Sequence, residues 1–261
     1  MLRSLYTAAT GMDAQQTKLD VIANNLANAS TTGFKKTRAD FQDLLSETIR
    51  AATPPNAQGA SQPTALQVGL GVRTASTSRA FAQGDMISTN NPLDLAIQGG
   101  GFFVIQRANG DLAYTRDGSL RLDTTGRVVT QLGEVVQPGL TIPTDATNIT
   151  VNSDGSVQAK LPNQTALSNI GNLQLATFPN PGGLEAVGNN LYLATESSGS
   201  AIVVKPGDQG TGSISQGNLE GSNVSAVEEM INMITTQRNY ELNSKIIESA
   251  DEMLQKLTAL R

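Results

Sequence analysis

Very little in this 261-residue chain could carry covalent chemistry. It has no cysteine and no histidine. Disulfides and thiolate metal sites are therefore excluded. So are Ser-His and Cys-His catalysis, because the commonest general base is missing. Carboxylates remain. Asp94, Asp117 and Asp123 sit in separate strand or turn segments, and their spacing marks no acid/base pair. Asn152-Ser-Asp-Gly155 superficially suggests a calcium loop but lacks the alternating ligands and the closing glutamate. Gly99-Gly-Gly101 could pass for a phosphate loop, yet no Lys-Ser/Thr follows and it opens no helix, so it reads as a tight turn. No catalytic residue, metal ligand or cofactor site is expected.

Charge and composition narrow the classes further. The net charge is -5 and Lys and Arg are not clustered, which argues against nucleic acid or an anionic membrane as partner. No apolar run approaches the roughly 20 residues of a membrane-spanning helix. The N-terminal stretch has Arg3 but no continuous apolar segment, so it does not read as a secretory signal. Aromatic residues make up only 4%, with no tryptophan. That scarcity predicts thin cores in an elongated shape.

The elements available to position anything are of two kinds. From Leu2 to about Asn28 the apolar positions Leu2, Leu5, Ala9, Met12, Leu19, Ala23 and Leu26 step by three and four, a heptad seam that also takes in Ile22. Asn28 to Gly33 reads as the helix stop. The C-terminal end mirrors this. Ser222 or Asn223 can cap a helix from Val224, and Glu228 and Glu229 suit its start. Its apolar positions are Val224, Val227, Ile231, Ile234, Leu242, Ile246, Ala250, Met253, Leu257 and Leu260, interrupted by a polar stretch from Thr235 to Asn239. A helix of about 37 residues spans roughly 55 Å, too long for an ordinary surface helix.

The middle carries turn signals every 8–12 residues or so, the mark of an all-β region. Leu93 to Gln98 and Phe102 to Ile105 read as strands around the glycine run, and Leu122 to Val129 and Asn148 to Val157 as hairpins. Leu173 to Phe178 and Leu191 to Thr195 add strands. Thr48 to Val72, with its Pro, Gly, Ser and Gln, reads as an extended, loop-like arm. The expected fold is α+β. The terminal helices pair as a coiled-coil domain and flank a mostly-β middle with an arm. The expected boundaries are 1–35, 36–75, 76–215 and 216–261. One helix pair alone is marginal. Each buried side chain contributes about 1.5–3 kcal/mol, against roughly 4–15 kcal/mol lost on association. Lateral packing of many pairs is therefore expected, with the ends folding as they pack.

Two long segments carry a resemblance. Leu19-Asp-Val-Ile-Ala-Asn-Asn-Leu-Ala-Asn-Ala-Ser-Thr-Thr-Gly-Phe-Lys35 is similar to the N-terminal motif of the bacterial flagellar rod and hook proteins, including Asn24, Asn25, Asn28, Gly33, Phe34 and Lys35. Asn223 to Glu241, with Arg238, Tyr240 and Glu241, resembles their C-terminal motif. Asn91 to Phe103 and Tyr114-Thr-Arg-Asp-Gly-Ser119 resemble the β-domain of the longer members. Leu44 to Arg50, Gly69 to Val72 and Met253 to Leu257 favour the distal over the proximal of the two similar-sized rod members.

The resemblance implies a structural role, not an enzyme. Subunits would polymerise helically into a hollow shaft that crosses the periplasm and outer membrane, transmits torque and passes exported subunits. Implied partners are further copies of the chain, proximal rod proteins, the hook protein, the surrounding P- and L-ring proteins and the flagellar type III export apparatus. Export would use no cleaved signal peptide. On this reading the apolar seams join copies. Gln237, Asn239, Asn243 and Ser244 either line the lumen or form a solvated face or inter-helix layer. The arm either braces neighbours or is a flexible loop. Asn24, Asn25 and Asn28 read as hydrogen-bond formers at helix ends and between helices. Two alternatives stay open: another axial subunit, or a secreted β-domain enzyme or binding module.

Overall fold

The run Phe102-Phe-Val-Ile105 is apolar without alternation, and its surroundings explain why. In the strand Phe102–Gln106 successive side chains point to opposite faces, and both faces are covered. Phe103 enters an aliphatic core with Ile97, Leu120, Val136, Ile142, Leu173 and Leu175. Phe102 and Val104 enter an aromatic cluster with Tyr114, Phe178 and Tyr192. A strand buried on both sides reads as a continuous apolar run.

The computed structural model describes residues 2–51, 64–162, 167–208 and 210–259. They form two compact units, Met1–Ala27 with Thr37–Ser78 and Ser225–Arg261, and Asn28–Lys36 with Arg79–Val224. The second is the β-rich unit. Its largest sheet is built around Phe102–Gln106, which pairs antiparallel with Leu112–Thr115, Val135–Val136 and Leu175–Thr177. The strands on either side of the glycine run do not pair with each other. Leu95–Gln98 pairs instead with Ser213–Gln216, because Gly99 and Gly101 both take positive φ and turn the chain out of the sheet. Arg121–Leu122 with Val128–Val129, and Asn148–Val151 with Ser156–Lys160, form the expected hairpins.

The aromatic residues, scattered along the sequence, do not stay scattered in the fold. Phe81, Phe102, Tyr114, Phe178 and Tyr192 meet edge to face, with centroid distances from 4.7 Å for Tyr114–Phe178 to 6.1 Å for Phe102–Tyr192. Such pairs add about 0.5–1.5 kcal/mol beyond their area. Half of the chain's six Phe and four Tyr are thus concentrated at one place.

The first unit holds helix α1, Leu2–Ala27, and helix α2, Ala226–Ala259. The two helices pack against each other. The α2 residues withdrawn from solvent include Ala226, Glu229, Met233, Thr236, Asn243, Ile247, Ala250 and Leu254, again stepping by three and four with exposed Tyr240 in the gap, and Asn232 and Ser244 flank them. Facing them, α1 buries Ala8, Ala14, Ile22 and Asn25. Small residues allow this approach. A Cβ on Gly11 would stand 3.0 Å from Asn243 Nδ2.

Two sequence expectations need correction. Helix α2 starts later than Val224, and Ser225 receives the amide of Glu228 at 3.5 Å. Asn223 cannot cap it. Its Oδ1 accepts from Lys36 N at 2.7 Å, and its Nδ2 donates to Ala80 and Ala82 carbonyls. The arm is not a loop at its base. Ser46–Arg50 and Leu66–Gly69 pair antiparallel with a bulge between Thr48 and Arg50; the tip, 52–63, lies outside the described residues. The ribbon is tied to α1. Arg3 pairs with Glu47, and Thr10 Oγ1 accepts from Val72 N. Leu45, Ile49, Leu66 and Val68 stay exposed.

Candidate functional site

Helix α2 packs a mixed face of polar, small and apolar residues on α1 and carries a second, apolar face that α1 does not meet. Opposite the buried positions, Val227, Ile231, Ile234, Leu242, Ile246 and Met253 are between 48% and 65% exposed. They are separated from the buried set by the 100° turn per residue of a helix. A stripe of β-branched and long aliphatic side chains so exposed exceeds the scatter of single apolar residues on a normal surface. On α1 the expected seam lies differently. Ile22 is buried, and Leu5, Met12, Leu19 and Leu26 are half-buried. Of the remaining seam positions, the side chain of Leu257 and the whole of Leu260 lie outside the described residues.

The polar candidates of α2 do not share one face. Gln237 and Asn239 are exposed, Asn243 lies beside Gly11, and Ser244 is half-buried. Thr236, in the same polar stretch, is fully buried and returns its hydroxyl to Asn232 O at 2.7 Å. Arg238, Tyr240 and Glu241 are exposed.

The asparagines near the end of α1 divide the work. Asn25 is buried. Its Oδ1 accepts from Thr37 N at 2.9 Å, and its Nδ2 donates to Thr37 O at 2.8 Å and to Glu229 Oε2 at 3.2 Å. Both ends of the amide are used, and α1 is joined to α2. Asn28 Oδ1 accepts from Thr31 Oγ1 in the turn that follows, while Asn24 is exposed.

Gly33, Phe34 and Lys35 are all buried, and they belong to a clamp inside the β-rich unit. Lys35 Nζ reaches Glu220 Oε1 at 2.6 Å and Ala82 O at 2.7 Å. Arg116 Nη1 reaches the other oxygen of Glu220 at 3.2 Å, and its Cζ lies 5.4 Å from the centre of the Phe102 ring. Gly84 N also donates to Glu220, and Gly33 N donates to its backbone carbonyl at 2.8 Å. Burial pulls the Lys35 ammonium below its usual range, opposed by the bond to Glu220. One carboxylate thus gathers segments 33–35, 82–84, 116 and 220.

Gly33 has no freedom to carry a side chain here. Its φ is +69°, and a Cβ would come within 2.7 Å of Asp117 N and 2.9 Å of Arg116 C. Gly33→Ala is expected to cost about 2 kcal/mol or more from the left-handed backbone and the displaced segment, read as a lower urea midpoint at unchanged m-value.

Sequence reasoning missed Glu220 and Arg116. Glu220 lies in a connector rich in Gly and Ser, and Arg116 inside a turn motif. A signal existed for Arg116. It is two positions from Tyr114, so both point to one face of an extended segment, and that face is the aromatic cluster.

Comparison with known proteins covers the same segments. Residues 5–35 match the family described as flagella basal body rod protein, residues 96–159 the flagellar hook protein FlgE/F/G D1 domain, and residues 215–260 the flagellar basal body rod FlgEFG protein C-terminal family. The chain is 49% identical to the flagellar basal-body rod protein FlgG of Caulobacter vibrioides over 261 residues, covering 100% of both chains. It is 47% identical to the FlgG of Agrobacterium fabrum over 97% of both, and 41% identical to that of Bacillus subtilis over 100% of both.

Proposed function

Since the chain belongs to the family of flagellar basal-body rod proteins, structural parts of the bacterial flagellum, we propose that it polymerises helically with copies of itself as the distal segment of the rod. One observation carries this reading: the second apolar stripe on α2, from Val227 to Met253, is left uncovered by the chain's own α1. In a tube of terminal helices each stripe meets the next copy. Coiled-coil packing of α1 and α2 then supplies the inner wall, and the β-rich unit forms the outer layer.

Exposed Gln237 and Asn239 are available as polar groups for a wet lumen that conducts unfolded subunits, while Asn243, beside Gly11, and half-buried Ser244 belong to the inter-helix layer. The arm braces neighbours, its exposed Leu45, Ile49, Leu66 and Val68 packing between copies and stiffening the shaft. Proximal rod proteins and the hook protein continue the tube at its two ends, and it turns inside the P- and L-rings. The subunit travels through the flagellar export apparatus and lies in the rod across periplasm and outer membrane. Its work is mechanical, the transmission of torque.

A cryo-EM map of intact basal bodies tests this. The chain is expected in the distal rod with Ile231 and Ile234 against adjacent copies. A map with those side chains facing open solvent in the assembled rod, or with the chain elsewhere in the basal body, sinks the reading.

A further inference from the structure

The β-rich unit holds a cleft of about 420 Å³, within the range of roughly 300–1,000 Å³ typical of binding pockets. Phe81, Phe102 and Phe178 form its apolar wall, Ile202 stands at the exposed rim, and Gly100 and Gly101 leave one stretch bare of side chains. Arg116 is part of the lining, although only 3% exposed. Its Nη1 holds Glu220, but its Nε has no hydrogen-bond partner among the described residues. A buried N–H left unmade is costly, and more so on a charged group. The charges do not balance either. Lys35 and Arg116 share the one carboxylate of Glu220, which leaves a positive charge over. Burial pulls both cations below their usual pKa.

We propose that this cleft binds an internal Asp or Glu of a partner segment, the carboxylate meeting Arg116 Nε and the apolar neighbour of that residue packing on Phe102 and Phe178. Charge complementarity selects the carboxylate, which cancels the surplus and satisfies the orphan donor in one contact. A purely apolar occupant fills the wall and leaves both unmet. The bare backbone at Gly100–Gly101 lets a second chain lie close. The inference concerns the chemistry of the cleft and stands apart from the rod reading.

The test uses the full chain labelled with ¹⁵N at arginine, following the Arg116 Nε–H resonance as the blocked dipeptide acetyl-Phe-Glu-amide is added. A saturable shift of that resonance is expected, with acetyl-Phe-Gln-amide, the same shape without the charge, binding roughly ten-fold or more weakly. N-acetyl-phenylalaninate, which offers a terminal carboxylate, is expected to bind more weakly than the Glu peptide; tighter binding overturns the assignment to an internal residue. Ile202→Asp sets a competing carboxylate at the rim without touching the Arg116–Glu220 contact, and is expected to weaken the Glu peptide by roughly ten-fold. An unmoved Nε–H resonance, or equal binding of the Glu and Gln peptides, overturns the proposal.

Discussion

Glu220→Ala is expected to lower the stability of the β-rich unit by about 3–5 kcal/mol, the usual cost of leaving buried charge without its partner. The side chains of Lys35 and Glu220 are 0% exposed and that of Arg116 is 3% exposed, so losing the carboxylate leaves two cations largely desolvated. Thermal unfolding followed by near-UV circular dichroism of the Tyr114–Tyr192 cluster is the measurement, with a fall in Tm of about 10 °C or more. The converse variant separates charge from shape. Replacing all three together, Lys35→Met, Arg116→Met and Glu220→Leu, removes the mismatch and is expected to recover most of the loss, since well-packed apolar groups often replace a buried ion cluster at little cost. If the single variant unfolds at the wild-type temperature, the clamp is not what holds these segments.

The second large effect concerns assembly and leaves the fold alone. Ile231 and Ile234 are 57% and 50% exposed in the single chain, so Ile231→Asp with Ile234→Asp is expected to change its stability by under about 1 kcal/mol. On the proposed assembly both side chains are buried between copies. Losing two such burials at about 1.5–3 kcal/mol each removes roughly 3–6 kcal/mol per contact. That raises the concentration needed for polymerisation by about two to four powers of ten. Cells carrying the double variant are expected to make the protein and fail to build a distal rod, seen as basal bodies without hooks and loss of swimming. Rods of normal length, or a variant that fails to fold as a monomer, would contradict the assignment of this stripe to contacts between copies.

The terminal helices were legible in the sequence because a three-and-four apolar step is hard to satisfy any other way. Which face pairs within the chain was not. The visible stripe, Val227 to Met253, faces outward, while the face packed on α1 mixes Met233, Ile247, Ala250 and Leu254 with Ala226, Glu229, Thr236 and Asn243, so its polar and small members break the hydrophobic pattern. Close approach of helices selects small side chains there, and Asn25 meets Glu229 through a hydrogen bond. The strand Phe102–Gln106 was legible as an apolar run, but its neighbours were not, because Leu175–Thr177 comes from far along the chain and is only three residues long, two of them in register. The hairpin at the base of the arm was masked by the Pro- and Gln-rich tip between its strands. The clamp left the weakest trace. Three charges dispersed over 185 positions have no common period, and only folding shows that they converge.

The clamp also sets a clock on biosynthesis. Lys35 and Glu220 are 185 positions apart, and Leu95–Gln98 likewise waits for Ser213–Gln216 to complete its pairing. At about 5–20 residues per second of translation, an emerging lysine precedes its counter-ion by roughly 10–40 s. During that interval the nascent polypeptide carries an unneutralised cation and an open sheet edge, both available to whatever escorts it from the ribosome. Late closure of this kind keeps the unfinished molecule threadable until only its final sixth remains to be made.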